Sequence, residues 1–189
     1  MLDTNKTVKR AKNEQVTLGF KELENPQLII FSDASLGNCH DGGTQGGYYI
    51  CLWDRKHNMV PIAWASKKLK RVARSTLTAE TLAMTDAMDT GVYVANLYTE
   101  LMSQGQEFRL SIVLITDGQS LFEAIKSNKS VQEKRLRVEI SAIKEAIRDG
   151  QVEEVKWVNA EKQLADCLTK RGASPLRLLR ALEEGVLEL

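Results

Sequence analysis

The sequence predicts a single α/β domain whose strands carry carboxylates toward one place, and three observations lead there. Two apolar runs, Gln27 to Ser35 (QLIIFSDAS) and Ser111 to Gly118 (SIVLITDG), each read as a buried strand delivering one acid, Asp33 or Asp117. Two β-rich runs, Tyr48 to Trp53 and Val60 to Ser66, flank a polar turn at Asp54 to Asn58 and complete an antiparallel meander with the first strand. From Ser75, Leu, Ala, Met and Val recur at helical spacing, which predicts a long buried helix. A buried carboxylate without a compensating charge is too costly to keep, so Asp33 needs a partner. Two strands ending in Asp predict a shared cation of the hard, oxygen-liganded kind, such as Mg²⁺.

The totals narrow the possibilities. At 189 residues and 43% hydrophobic content the chain can bury one core, and no internal repeat divides it. Lys and Arg number 26 against 25 Asp and Glu, and the formal net charge of +1 excludes polyanion binding by global charge. Any nucleic-acid contact must be local. Cys39, Cys51 and Cys167 lack CxxC spacing, and only His40 and His57 accompany them, which argues against a zinc site and a disulfide framework and for an intracellular chain. No apolar stretch has membrane-spanning length, and Met1 to Glu24 has no signal-peptide core, so no membrane partner is expected.

In order, residues 1–25 are polar and mixed in charge and read as a leader or linker before a domain at 26–172. The glycine-dense Leu36 to Gly47 reads as a hairpin loop, because the Gly-Lys-Ser/Thr of a phosphate-cradling loop does not follow. Lys67, Lys68, Lys70, Arg71 and Arg74 crowd the next connection, as a solvated surface or as a polyanion contact beside the acids. Ser75 or Thr76 caps the long helix. Glu80, one turn in and flanked by Ala79 and Ala83, either complements the helix dipole or faces the strands. Gln119 to Asn128 and Val131 to Gly150 read as helices, and Gln151 to Val158 alternates as a half-buried strand. NAEKQLADCLTKRG then opens a helix with Leu164, Ala165 and Leu168 inward and Asp166 in its N-terminal half. Residues 173–189 form a C-terminal amphipathic helix suited to docking rather than catalysis.

Five segments in sequence, SDAS at Ser32, ASKK at Ala65, STLTAET at Ser75, TDGQS at Thr116 and QLADCLTK at Gln163, resemble the ribonuclease H domain of copia-type LTR retrotransposon reverse transcriptase polyproteins over about residues 27 to 172. The resemblance implies a ribonuclease H-like fold: a five-stranded mixed sheet, three antiparallel strands then two parallel ones, with helices on both faces. It implies that Asp33, Glu80, Asp117 and Asp166 are the catalytic acids and the ligands of two Mg²⁺ ions, replaceable by Mn²⁺, about 3.5 to 4 Å apart with Asp33 between them. The implied activity is endonucleolytic hydrolysis of the RNA strand of an RNA/DNA hybrid during reverse transcription, leaving a 5′-phosphate and a 3′-hydroxyl. The implied partners are that hybrid and a preceding reverse transcriptase domain, and the implied location is a cytoplasmic retrotransposon particle or the nucleus.

Lys67, Lys68 and Arg74 would then track phosphates, while Ser35, the backbone of the glycine-rich loop and Gln119 are candidates for the 2′-hydroxyl. The chain departs from the family in two places. Glu133-Lys134-Arg135 stands where copia-type domains often have Thr-Lys-His, leaving Lys134 or Arg135 for a role that a proton-cycling His would fill. Gly118 stands where Asn is common. An integrase or transposase fits less well, because there the Glu follows both Asp residues. A non-catalytic binding or scaffold domain fits less well because a carboxylate cluster without metal repels itself.

Overall fold

A computed structural model describes residues 17–103, 109–127, 131 and 133–189. Its strands are β1 (Gln27–Ser35), β2 (Gln45–Trp53), β3 (Met59–Lys68), β4 (Ile112–Thr116) and β5 (Glu154–Trp157). Its helices are α1 (Thr76–Met102), α2 (Gln119–Lys126), α3 (Lys134–Arg148), α4 (Asp166–Thr169) and α5 (Leu176–Glu184), with a 3₁₀ turn at Ala160–Lys162. The sheet runs β3-β2-β1-β4-β5. The β1–β2 and β2–β3 pairs are antiparallel, and the β1–β4 and β4–β5 pairs are parallel, as expected.

Alternation along the central strand creates two cores. Leu28 and Ile30 of β1 join Met84, Ala87 and Met88 of α1 and Ile143 of α3 on one face. Ile29 and Phe31 join Val113 and Ile115 of β4, with Leu164, Ala165 and Ala181, on the other. Because side chains alternate with a period of two, Asp33 and Asp117 fall in the odd-numbered series, on the face that receives α4. The long helix lies close on the sheet. A β-carbon at Gly91 would stand 2.1 Å from Ile30 Cδ1. Where α1 begins, Ala79 and Ala83 pack on Ala34, so the helix start reaches the end of β1. Ser75 is the N-cap, its hydroxyl accepting the Thr78 amide at 3.1 Å.

Two elements differ from the sequence expectation. Strand β2 begins at Gln45, so Gly46 and Gly47 lie in the sheet rather than the loop. Neighbours explain the glycines: a β-carbon at Gly47 would meet Thr169 Cγ2 at 2.9 Å and Leu168 Cβ at 3.0 Å. The helix expected across 159–172 is instead a 3₁₀ turn and the four-residue α4, with Asp166 its first residue. Gln163 interrupts it, because its side chain turns inward and its Oε1 accepts the Ala165 amide at 3.2 Å, competing with helical pairing.

Residues 17–25 lie along the far end of the sheet. The Gly19 amide bonds to Leu182 O at 2.7 Å, and the Glu24 amide to Asp54 Oδ2 at 3.1 Å. Residues 1–16 of the stretch read as a leader, and Asn128 of the expected second helix, lie outside the described residues. The C-terminal segment docks on the same sheet, with Trp53 Nε1 bonded to Leu187 O at 2.8 Å.

Candidate metal centre

The acids meet at the C-terminal ends of the two parallel central strands. Asp33 is 2% exposed, whereas Asp117 and Asp166 are half-buried. One carboxylate oxygen from each lies within 4.8 Å of the others, the one such acid, His or Cys group among the described residues. Burial pushes the Asp33 carboxyl upward, and Asp117 and Asp166 push it further, while the Thr169 hydroxyl and the Lys170 ammonium oppose them.

Glu80 stands beside this group rather than within it. Its carboxylate lies over Gly118, where a β-carbon would come 1.9 Å from Glu80 Oε2. Desolvation by burial, then Asp117 and Asp33, raise its pKa to about 7. Gly118 therefore makes room for the acid that approaches from α1.

Side chains not singled out from sequence hold the acids. The buried Thr169 hydroxyl donates to Asp33 Oδ2. Lys170 pairs with Asp166 and stands 3.6 Å from Asp33 Oδ1. Gln163 Nε2 donates to Ser32 O at 3.0 Å and to Asp117 Oδ1 at 3.3 Å. Trp157 Nε1 bonds to Asp117 O at 3.0 Å, fixing the turn after β4. The segment carrying α4 is tied down in turn by Asn38 Nδ2 to Thr169 O at 3.2 Å and Ser66 Oγ to Leu168 O at 2.5 Å. The four-residue offset from Asp166 to Lys170 was a legible sign of their pairing; the inward turn of Gln163 had none.

The expected substrate contacts are dispersed. Ser35 is half-buried at the end of β1, and Gln119 is exposed at the start of α2, donating to Glu123 Oε1 at 2.8 Å. Lys67 pairs with Asp86 at 2.8 Å, and Lys68 pairs with Asp41, so both cations already have carboxylates. Arg74, Lys134 and Arg135 line a different place, a groove of about 770 Å³ between the starts of α1 and α3. Arg71, Glu133 and Glu139 line it too.

No protein-family model matches the sequence, nor does any curated protein. Solved structures do resemble its fold. Compost-derived LC11 ribonuclease H1 superposes with a TM-score of 0.53 at 15% identity, over 75% of this chain and 91% of that one. The N-terminal ribonuclease H domain of Mycobacterium tuberculosis rv2228c gives 0.49 at 17% identity, over 82% and 96%. The prototype foamy virus ribonuclease H domain gives 0.46 at 13% identity, over 84% and 90%. Strand order, strand directions and the LC11 superposition together identify the architecture of this chain as the ribonuclease H-like fold.

Proposed function

We propose that the chain is a metal-dependent endoribonuclease that hydrolyses the RNA strand of RNA/DNA hybrids, as the ribonuclease H domain of a copia-type retrotransposon polyprotein. The observation that carries this reading is the convergence of Asp33, Asp117 and Asp166, from three separate elements, within 4.8 Å. The donor set fits a hard divalent ion, since every candidate ligand is a carboxylate oxygen. Bonds to Mg²⁺ of about 2.0–2.1 Å would require oxygens spread over as much as 4.8 Å to close in around the ion.

Asp33, Asp117, Asp166 and Glu80 would hold Mg²⁺ or Mn²⁺. Bound there, the ions would supply an activated water and stabilise the departing oxygen. The chain's own residues do the rest. Thr169 and Gln163 orient Asp33 and Asp117 by hydrogen bonds to their oxygens. Glu80 holds a proton up to about pH 7 in the chain alone and releases it on becoming a ligand.

The groove at Arg74, Lys134 and Arg135 is the leading contact for the phosphate backbone. Thr78, which also lines it, lies two residues from Glu80. Lys67 and Lys68 can serve only by exchanging their carboxylate partners for phosphates, a small cost for exposed pairs.

The test is cleavage of a labelled RNA/DNA hybrid with Mg²⁺ or Mn²⁺, beside duplex RNA and duplex DNA. Metal-dependent cutting of the hybrid's RNA strand alone, reduced to background in Asp33→Asn, is expected. No cutting with either metal, with or without a preceding reverse transcriptase domain, would reject the reading. One observation favours a non-catalytic binding domain as the second reading: Lys170 relieves the repulsion among the acids, so the cluster can persist without metal. That reading requires hybrid to bind without turnover, equally well in Asp117→Asn.

A further inference from the structure

On the metal-dependent reading, on which this inference rests, Lys170 stands where an incoming ion would have to bind. Its ammonium pairs with Asp166 and lies 3.6 Å from Asp33 Oδ1, so it touches two of the three acids whose oxygens converge. Asp33 is then engaged on both oxygens, Oδ2 by the Thr169 hydroxyl and Oδ1 by the ammonium.

We propose that Lys170 is a built-in counter-cation, whose ammonium neutralises Asp33 and Asp166 until a divalent ion displaces it, so that this exchange sets the metal affinity of the site. The placement follows from α4. One helical turn brings residue 170 over residue 166, and the anchors at Thr169 O and Leu168 O hold that turn to the loop after β1 and to β3.

The lysine is free to leave in a way its partners are not. Its side chain is 39% exposed, against 2% for Asp33. It borders an open cleft of about 640 Å³, shared with Asn38, His40, Gln45 and Arg171, into which its flexible four-carbon stem can turn. An incoming ion meets acids already gathered but must expel a positive charge. Metal binding is therefore weaker than the acids alone would allow, and the metal-free fold is more stable.

The experiment measures Mn²⁺ binding by calorimetry and metal-free thermal unfolding in the wild type, Lys170→Met and Lys170→Arg. Removing the ammonium is expected to tighten Mn²⁺ binding about tenfold, a modest share of what a unit charge at this distance exerts. It should also lower the metal-free midpoint while enlarging the rise in midpoint that Mn²⁺ produces. Lys170→Arg, which keeps the charge, should stay near wild type in both. Lys170→Gln gives an independent reading should the methionine variant not fold. Equal Mn²⁺ affinity in wild type and the neutral variants would overturn the inference while leaving the metal site standing. No Mn²⁺ binding in any of them would overturn both.

Discussion

Between Glu80 and Gly118 there is no space for a methyl group, since a β-carbon at residue 118 would overlap the Glu80 carboxylate. The glycine that looks like a departure beside Asp117 is what lets the acid from α1 reach the ends of the strands. Gly118→Ala should push Glu80 outward and weaken Mn²⁺ binding about tenfold, by calorimetry, with little change in far-ultraviolet circular dichroism. Unchanged binding would remove Glu80 from the ligand set. The same residue predicts a pH dependence. Glu80 titrates near 4.5 when unfolded and is raised to about 7 when folded, so the folded chain binds the extra proton between those values. Stability of the metal-free chain should be greatest below pH 4.5 on this account and decline as pH rises through 7, with Asp33 contributing in the same direction. Urea titrations across that range should show the decline, and Glu80→Gln should flatten it.

Among the elements, α4 and the turn before it do the most with the fewest residues. Gln163 bonds Ser32 O and Asp117 Oδ1 through one nitrogen and the Ala165 amide through its oxygen, and it is 5% exposed. Gln163→Ala should therefore cost about 1–3 kcal/mol in urea unfolding, since it strands buried polar groups. Metal affinity should fall with it, because Asp117 loses a support. An effect below about 0.5 kcal/mol, ordinary for a surface substitution, would show that this turn does not depend on the glutamine. The strands and the long helices needed no such help. Their apolar patterns alone located β1, β4, α1 and α3, because the two strands are buried on both faces and the two helices bury one.

At the scale of the whole molecule, a net charge of +1 leaves affinity for a polyanion to local clusters. The α1–α3 groove holds Arg71, Arg74, Lys134 and Arg135 against Glu133 and Glu139. The double variant Arg74→Ala, Lys134→Ala should weaken hybrid binding across sequences and lower the salt dependence by about one phosphate contact for each cation that touches the backbone. An unchanged salt slope would move the phosphate contact elsewhere on the surface.

The chain by itself determined the five strands, their apolar faces and the acids that four elements carry, because burial periodicity and a strand-end carboxylate are local properties of the sequence. Its motifs also pointed to this architecture. Only the tertiary structure decided which acids share a site, since the parity of β1 and β4 sends Asp33 and Asp117 to the face where Asp166 arrives, while Glu80 comes from the helix on the opposite face. It also decided that Lys67 and Lys68 are already paired, that Gly118 yields its space to Glu80, and that Lys170 lies among the acids. Apart from the pair Asp166 and Lys170, one helical turn apart, those are contacts between residues far apart in the chain, and no local pattern encodes the distance between them.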